Sequence, residues 1–325
     1  MKDFSHLQAL FHNYLTQHTF HQEPSELYEP VNYILQLGGK RMRPALALMG
    51  YQVFDTQIER ALPVAYAVEI FHNFSLVHDD IMDQAPLRRG QPTVHQRYDV
   101  NTGILSGDVM LIYAYRFLLK TEPAAVHSTL VETFNRVAIE VCEGQQMDMN
   151  FERRNNVTMP EYLTMIEFKT AALLGGALAL GALAAGAPTE QARLLESFGR
   201  NAGIAFQLQD DLLDAFGDPT KVGKKPGGDI VQNKKTCLIL KALEIADATT
   251  RQALLHLMAT PQPDEQAKIA QVLNILQNLG VPERIEEMKT NYLQKARQDL
   301  LAVPGEAAAK EALLQLADAL ANRDF

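Results

Sequence analysis

With 325 residues, 30 Lys and Arg against 39 Asp and Glu, and a formal charge of −9, the chain is long enough to bury a core and too acidic for general nucleic-acid binding. Hydrophobic residues make up 47% of it, which excludes a disordered chain. Its two cysteines, Cys142 and Cys237, lack metal spacing; they exclude a disulfide framework, point to a reducing cytoplasm and read as ordinary helix-packing residues.

Residues 1–20 carry His, Gln and Asp throughout and lack the basic start and apolar core of a signal peptide. Beyond them, apolar residues recur at intervals of three and four with no sustained alternating run of Val, Ile or Thr, so the predicted fold class is all-α. Pro44 marks one helix start, and Pro63 opens another helix that runs to about residue 84. A loop at 85–92 holding two arginines follows, then helices at about 107–120, 124–151 and 159–183, the last opened by a capping box between Thr158 and Glu161. Thr189 caps the next helix, which ends near residue 216; a loop rich in Gly, Pro and Lys covers 217–228, and shorter helices begin at 232. Residues 171–188 form the one long uncharged run, but Ala and Gly dominate it. It reads as a buried helix that a neighbour approaches closely, and no stable membrane insertion is predicted. A break at 261–264 precedes amphipathic helices that look like packing elements, and a single domain over 1–325 is expected.

Two matched acidic runs stand out, Asp79-Asp80-Ile81-Met82-Asp83 and Asp210-Asp211-Leu212-Leu213-Asp214. At about 100° per residue, the first and last carboxylates of each run lie roughly 40° apart on one helix face. Carboxylates one turn apart gather oxygen ligands for a hard cation, and Mg2+ usually takes one or two of them together with substrate phosphate oxygens. A solvated acidic face is the alternative for either run alone. Repetition favours the metal, as do the apolar flanks: Phe71, Phe74, Val77 and Ile81 around the first run, Ala205, Phe206, Leu208 and Leu212 around the second. Carboxylates on buried helices need a compensating charge. Basic residues are grouped as well, in Lys40, Arg41 and Arg43, in Arg88 and Arg89, in Lys224 and Lys225, and in Lys234 and Lys235.

Competing motifs fail. Glu69 and His72 have the Glu-x-x-His spacing of a di-iron bundle, but no second copy exists. Residues 217–225 have glycines at the wrong spacing for a P-loop, and Lys225 stands where Ser or Thr is required.

Gly38-Gly39-Lys40-Arg41-Met42-Arg43-Pro44, the first Asp run with Arg88-Arg89-Gly90, Lys169-Thr170, and the stretch from Gln207 to Asp214 together resemble a trans-isoprenyl diphosphate synthase of the polyprenyl synthetase family, most like the short-chain type that makes geranylgeranyl diphosphate. The resemblance spans residues 38–236 and implies a single-domain orthogonal helical bundle of the isoprenoid synthase type, with a deep central cavity, usually as a homodimer. It also implies a residue-by-residue assignment. Asp79 and Asp83 would bind two of three Mg2+ ions and Asp210 the third, with Asp80, Asp211 and Asp214 holding metal waters or orienting ligands. Arg88, Lys169, Lys224 and Lys234 would hold the allylic diphosphate; Lys40, Arg43, His72 and Arg89 would hold isopentenyl diphosphate; Thr170 and Gln207 would line the reaction centre.

In this family the growing tail descends along the helix of the first Asp run. Ser75 lies roughly 6 Å before Asp79 along the axis and leaves the track open, whereas Phe74, roughly 7.5 Å before it, and Phe71, roughly 12 Å before it, are rings able to close the track. That pattern resembles the C20-producing one. Farnesyl diphosphate and longer products are the alternatives within the family. A terpene cyclase would carry an Asn, Ser and Glu pattern in place of the second Asp run, and a non-catalytic subunit would lack motif residues that are all present here.

Overall fold

The computed structural model describes residues 2–218, 226–259 and 264–322. Two compact units divide the chain, one of Met1–Ala138, Leu173–Ser197 and Leu300–Leu313, the other of Ile139–Ala172, Phe198–Asp299 and Leu314–Phe325.

The first unit contains α1 (Phe4–Gln17), α2 (Ser25–Gln36), α3 (Met42–Gln52), α4 (Leu62–Met82), a hairpin of β1 (Leu87–Arg88) and β2 (Gln91–Pro92), the single turn α5 (Val94–Arg97), and α6 (Val100–Leu118). Asp3 and Asp99 cap α1 and α6, each carboxylate accepting from an amide of the first turn that has no intrahelical partner. Pro63 occupies the first turn of α4, where its missing N–H is not needed. Leu7, Phe11, Ile34, Leu48, Tyr66 and Ile70 are fully buried in this unit, each contributing about 1.5–3 kcal/mol by leaving water.

The predicted helix at 107–120 starts seven residues earlier, at Val100. Asp99 supplies the cap, and the helix runs through both Gly103 and Gly107. The loop at 85–92 closes as a two-residue hairpin, and Arg89 and Gly90 both take positive φ, 53° and 76°. A type I′ turn demands that combination because it matches the twist of paired strands.

Further along lie α7 (His127–Arg153), α8 (Met159–Ile166), a π-helical turn (Glu167–Ala171), α9 (Ala172–Ala184) and α10 (Thr189–Phe216). The capping box forms as predicted, the Thr158 hydroxyl accepting from the Glu161 amide and the Glu161 carboxylate from the Thr158 amide. Thr189 is the first residue of α10 rather than its cap. The stretch Met159–Ala184 is long and apolar enough to cross a membrane by length and composition, yet it is mostly buried within the protein. Its small residues serve close packing. A Cβ at Gly181 would stand 2.8 Å from the Ala47 carbonyl carbon, and one at Gly50 would stand 2.9 Å from the Leu178 carbonyl carbon, so α3 and α9 touch backbone to backbone.

The second unit is completed by α11 (Gly228–Val231), α12 (Cys237–Ile245), α13 (Ala248–Ala259), α14 (Glu265–Asn278) and parts of α15 (Val281–Ala302) and α16 (Ala307–Ala321). Tyr162, Leu208, Leu238, Leu254, Val272 and Leu276 form its core. Cys237 is buried as expected, whereas Cys142 is exposed on α7 and does not pack into a core. The predicted breaks at 217–228 and 261–264 fall largely outside the described residues.

Candidate active site

In the first unit the approach to α3 is shaped by backbone that few residues adopt. Gly38 and Gly39 have φ of 80° and 118°, and Arg41 follows at 45°. Arg41 turns inward to pair with Glu69 on α4 and to donate to the Leu35 carbonyl. Glu69 is thereby fixed as a structural partner, which removes it from any iron site. Arg43 NH1 lies 3.1 Å from His72 Nε2. A guanidinium only donates, so His72 must be the neutral acceptor. Burial, then the charges of Arg43, Arg89, Arg88 and Arg41, hold the His72 pKa well below its ordinary 6.5.

The same crowding acts on Arg43, which burial brings down to about 10, with Glu69 opposing the shift and Arg89 adding to it. Its Nε is buried and has no hydrogen-bond partner among the described residues. Arg89, in the hairpin turn, donates to the Gly38 carbonyl, and Lys40 is exposed on the same loop. Cations gathered around a neutral histidine make a site whose chemistry calls for an anion.

At the C-terminal end of α4 the three carboxylates separate. Asp80 is 2% exposed and takes a bidentate bond from Arg88, Nε to Oδ2 and NH2 to Oδ1, both 2.7 Å. Asp79 is half-buried, and Asp83 is exposed where its amide closes the helix on the Asp79 carbonyl. Burial of the first run, taken from its flanks, thus holds for Asp80 alone. One to two turns before Asp79, Ser75 donates to the His72 carbonyl, Phe74 is half-buried, and Phe71 is buried. The Phe71 ring meets Phe74 at 5.6 Å and Phe134 edge-on at 5.2 Å.

In the second unit Lys169 and Thr170 stand in the π turn, both half-buried. Lys169 Nζ pairs with Asp148 of α7. Gln207 is half-buried on α10, one turn before Asp210, which is exposed. Asp211 turns inward: its Oδ2 accepts from the Tyr162 hydroxyl at 2.6 Å and the Cys237 amide at 2.9 Å. Burial raises its pKa to about 6 despite those bonds. Asp214 accepts from the Asp229 amide at 3.0 Å, tying the end of α10 to α11. Lys234 lies 3.0 Å from Asp229, and although burial opposes its charge, Asp229, Asp148 and Asp214 more than offset that and raise its pKa. Lys235 is half-buried nearby in the chain. Lys224 and Lys225 lie outside the described residues.

No group of three or more His, Cys, Asp or Glu poised for a metal occurs among the described residues. Mg2+ usually takes one or two carboxylates and fills its octahedron with water and substrate phosphate oxygens, and the half-buried Asp79 and exposed Asp83 and Asp210 are carboxylates of that kind. Sequence reasoning missed Asp148 and Tyr162. Nothing in their local pattern marks either one, since α7 is a continuous amphipathic helix and Tyr162 sits at a core position.

Comparison with known proteins finds relatives along most of the chain. The family model described as Polyprenyl synthetase matches residues 24–276. A geranylgeranyl diphosphate synthase of Methanosarcina mazei is 35% identical over 303 residues, covering 93% of this chain and 91% of that protein. A crystal structure of a geranylgeranyl pyrophosphate synthase superposes with a TM-score of 0.94 at 42% identity, covering 100% of both chains. A polyprenyl synthase from Caulobacter crescentus, complexed with calcium and isoprenyl diphosphate, superposes with a TM-score of 0.82 at 25% identity over 99% of this chain and 95% of that one.

Proposed function

Because the chain belongs to the polyprenyl synthetase family and is a trans-prenyltransferase of all-α fold, we propose that it condenses isopentenyl diphosphate with allylic diphosphates to all-trans geranylgeranyl diphosphate. The carrying observation is the cationic cluster around neutral His72, in which Arg43 keeps a buried Nε with no hydrogen-bond partner among the described residues.

Lys40, Arg43, His72 and Arg89 bind isopentenyl diphosphate in this reading, His72 as a neutral imidazole oriented by Arg43. Arg88, Lys169, Lys224 and Lys234 bind the allylic diphosphate in this reading, their positive charge stabilising the charge that develops on the leaving group. Asp79 and Asp83 hold two Mg2+ ions and Asp210 a third, while Asp80, Asp211 and Asp214 orient the motifs through the bonds described above. Bound Mg2+ supplies Lewis-acid stabilisation of the departing diphosphate. Thr170 and Gln207 line the place where the allylic carbon–oxygen bond breaks and the isopentenyl double bond attacks the resulting cation. The released diphosphate takes the proton. Holding both substrates in register supplies up to about 7–11 kcal/mol in favourable systems.

Assembly as a homodimer is part of the proposal. An outward stripe of α6 exposes Ile104, Leu105 and Ile112, Leu119 at its C-cap continues it, and that apolar face supports self-association. The cysteine usage supports a cytoplasmic location.

Chelation tests the catalytic part. Stripping divalent cations should abolish elongation and added Mg2+ should restore it, in a preparation that sediments as two chains; elongation that survives chelation would contradict the reading.

A further inference from the structure

Lys169 and Thr170 depart from α-geometry, because Glu167–Ala171 forms a π turn inserted between α8 and α9. Such turns are rare, appear as single insertions and recur at functional sites. Here one face of α7 supports the turn. Glu140, Gly144 and Asp148 follow each other at intervals of four along that helix, which places them one above the other.

The Asp148 carboxylate pairs with Lys169 Nζ. At the other end of the row, Arg200 joins Glu140 to Glu167, the first residue of the turn, with NH1 3.2 Å from Glu167 Oε1. Between these two ties the backbones meet at Gly144, which is buried. A Cβ there would stand 2.7 Å from both the Lys169 Cα and the Phe168 carbonyl carbon and would overlap the Lys169 amide nitrogen. The obstacle is main chain, which cannot swing aside as a side-chain tip does.

The geometry points to Gly144 as a positioning residue, whose bare backbone sets how closely the π turn seats against α7 and therefore where Lys169 presents its ammonium group to an allylic diphosphate. This rests on the reading of Lys169 as a diphosphate contact. Gly144 itself touches no substrate and acts through Lys169.

A double-mutant cycle on the full chain tests it, with kcat and KM measured for the C15 allylic diphosphate and for isopentenyl diphosphate, and with circular dichroism to check the fold. Gly144→Ala is expected to lower kcat/KM for the allylic substrate about 10- to 100-fold, the scale of an ångström-sized misplacement. KM for isopentenyl diphosphate should stay within about twofold, and in a Lys169→Met background the same change should cost less than about twofold. Glu167→Gln loosens the turn from the Arg200 end without adding an atom, and keeps the inference testable if Gly144→Ala fails to fold. It should cost about threefold alone and lose that effect beside Lys169→Met. Full additivity of either variant with Lys169→Met overturns the positioning role while leaving the reading of Lys169 intact. An unchanged kcat/KM in Lys169→Met alone overturns both.

Discussion

At His72, burial and four neighbouring arginines all oppose protonation, and the linkage to stability has a definite sign. The imidazole stays neutral in the folded protein while the unfolded chain takes up a proton below about pH 6.5, so acidification favours unfolding by up to about 1.4 kcal/mol per pH unit in that range. Asp211 works in the opposite sense: with its pKa raised by burial to about 6, the folded state binds its proton first and gains stability as pH falls from there toward the unfolded value. Only a comparison isolates His72. Denaturant titrations at pH 7 and pH 5 should show wild type losing more stability than His72→Gln over that interval; equal losses would mean that His72 titrates normally. The carboxylates of the two acidic runs were legible as a set, because their spacing alone places them on helix faces. Which of them turn inward was not, since Asp80 is anchored by Arg88 from a hairpin and Asp211 by Tyr162 from another helix. Both partners are remote in pattern, and only the tertiary packing brings them there.

Among the elements, α4 carries most of the proposed specificity. Ser75 and Phe74 are half-buried on it, and Phe71 is buried with its ring against Phe74 and Phe134. Phe74→Ala should move the product distribution beyond C20 at a stability cost of about 2 kcal/mol, less than for a fully buried ring. Mass spectrometry of dephosphorylated products reads the outcome, and an unchanged distribution would place the floor elsewhere. Helix identity was legible from apolar periodicity and from caps such as Thr158 with Glu161, because those signals are local. Two features escaped. The start of α6 lies seven residues before the predicted one, where Asp99 caps it, and the π turn at Glu167–Ala171 leaves no trace in the apolar pattern. Its close approach to Gly144 is a tertiary contact that a linear pattern does not record.

For the whole molecule, the all-α class follows from the repeat of apolar residues, and the family resemblance from motifs spread over residues 38–236. Close approaches such as α3 against α9 were foreshadowed by the Ala- and Gly-rich run, although their partners were not. Each unit assembles residues far apart in sequence, Arg43 with His72 and Arg89 in one, Lys169 with Asp148 in the other. Such groupings are consistent with a protein that handles diphosphates through charge placed in advance. The most direct measurement incubates the purified chain with Mg2+, isopentenyl diphosphate and, separately, C5, C10 and C15 allylic diphosphates, then weighs the dephosphorylated products. A dominant C20 alcohol from all three starters is the predicted result; products that stop at C15, run well past C20 or fail to extend the starter at all would contradict it.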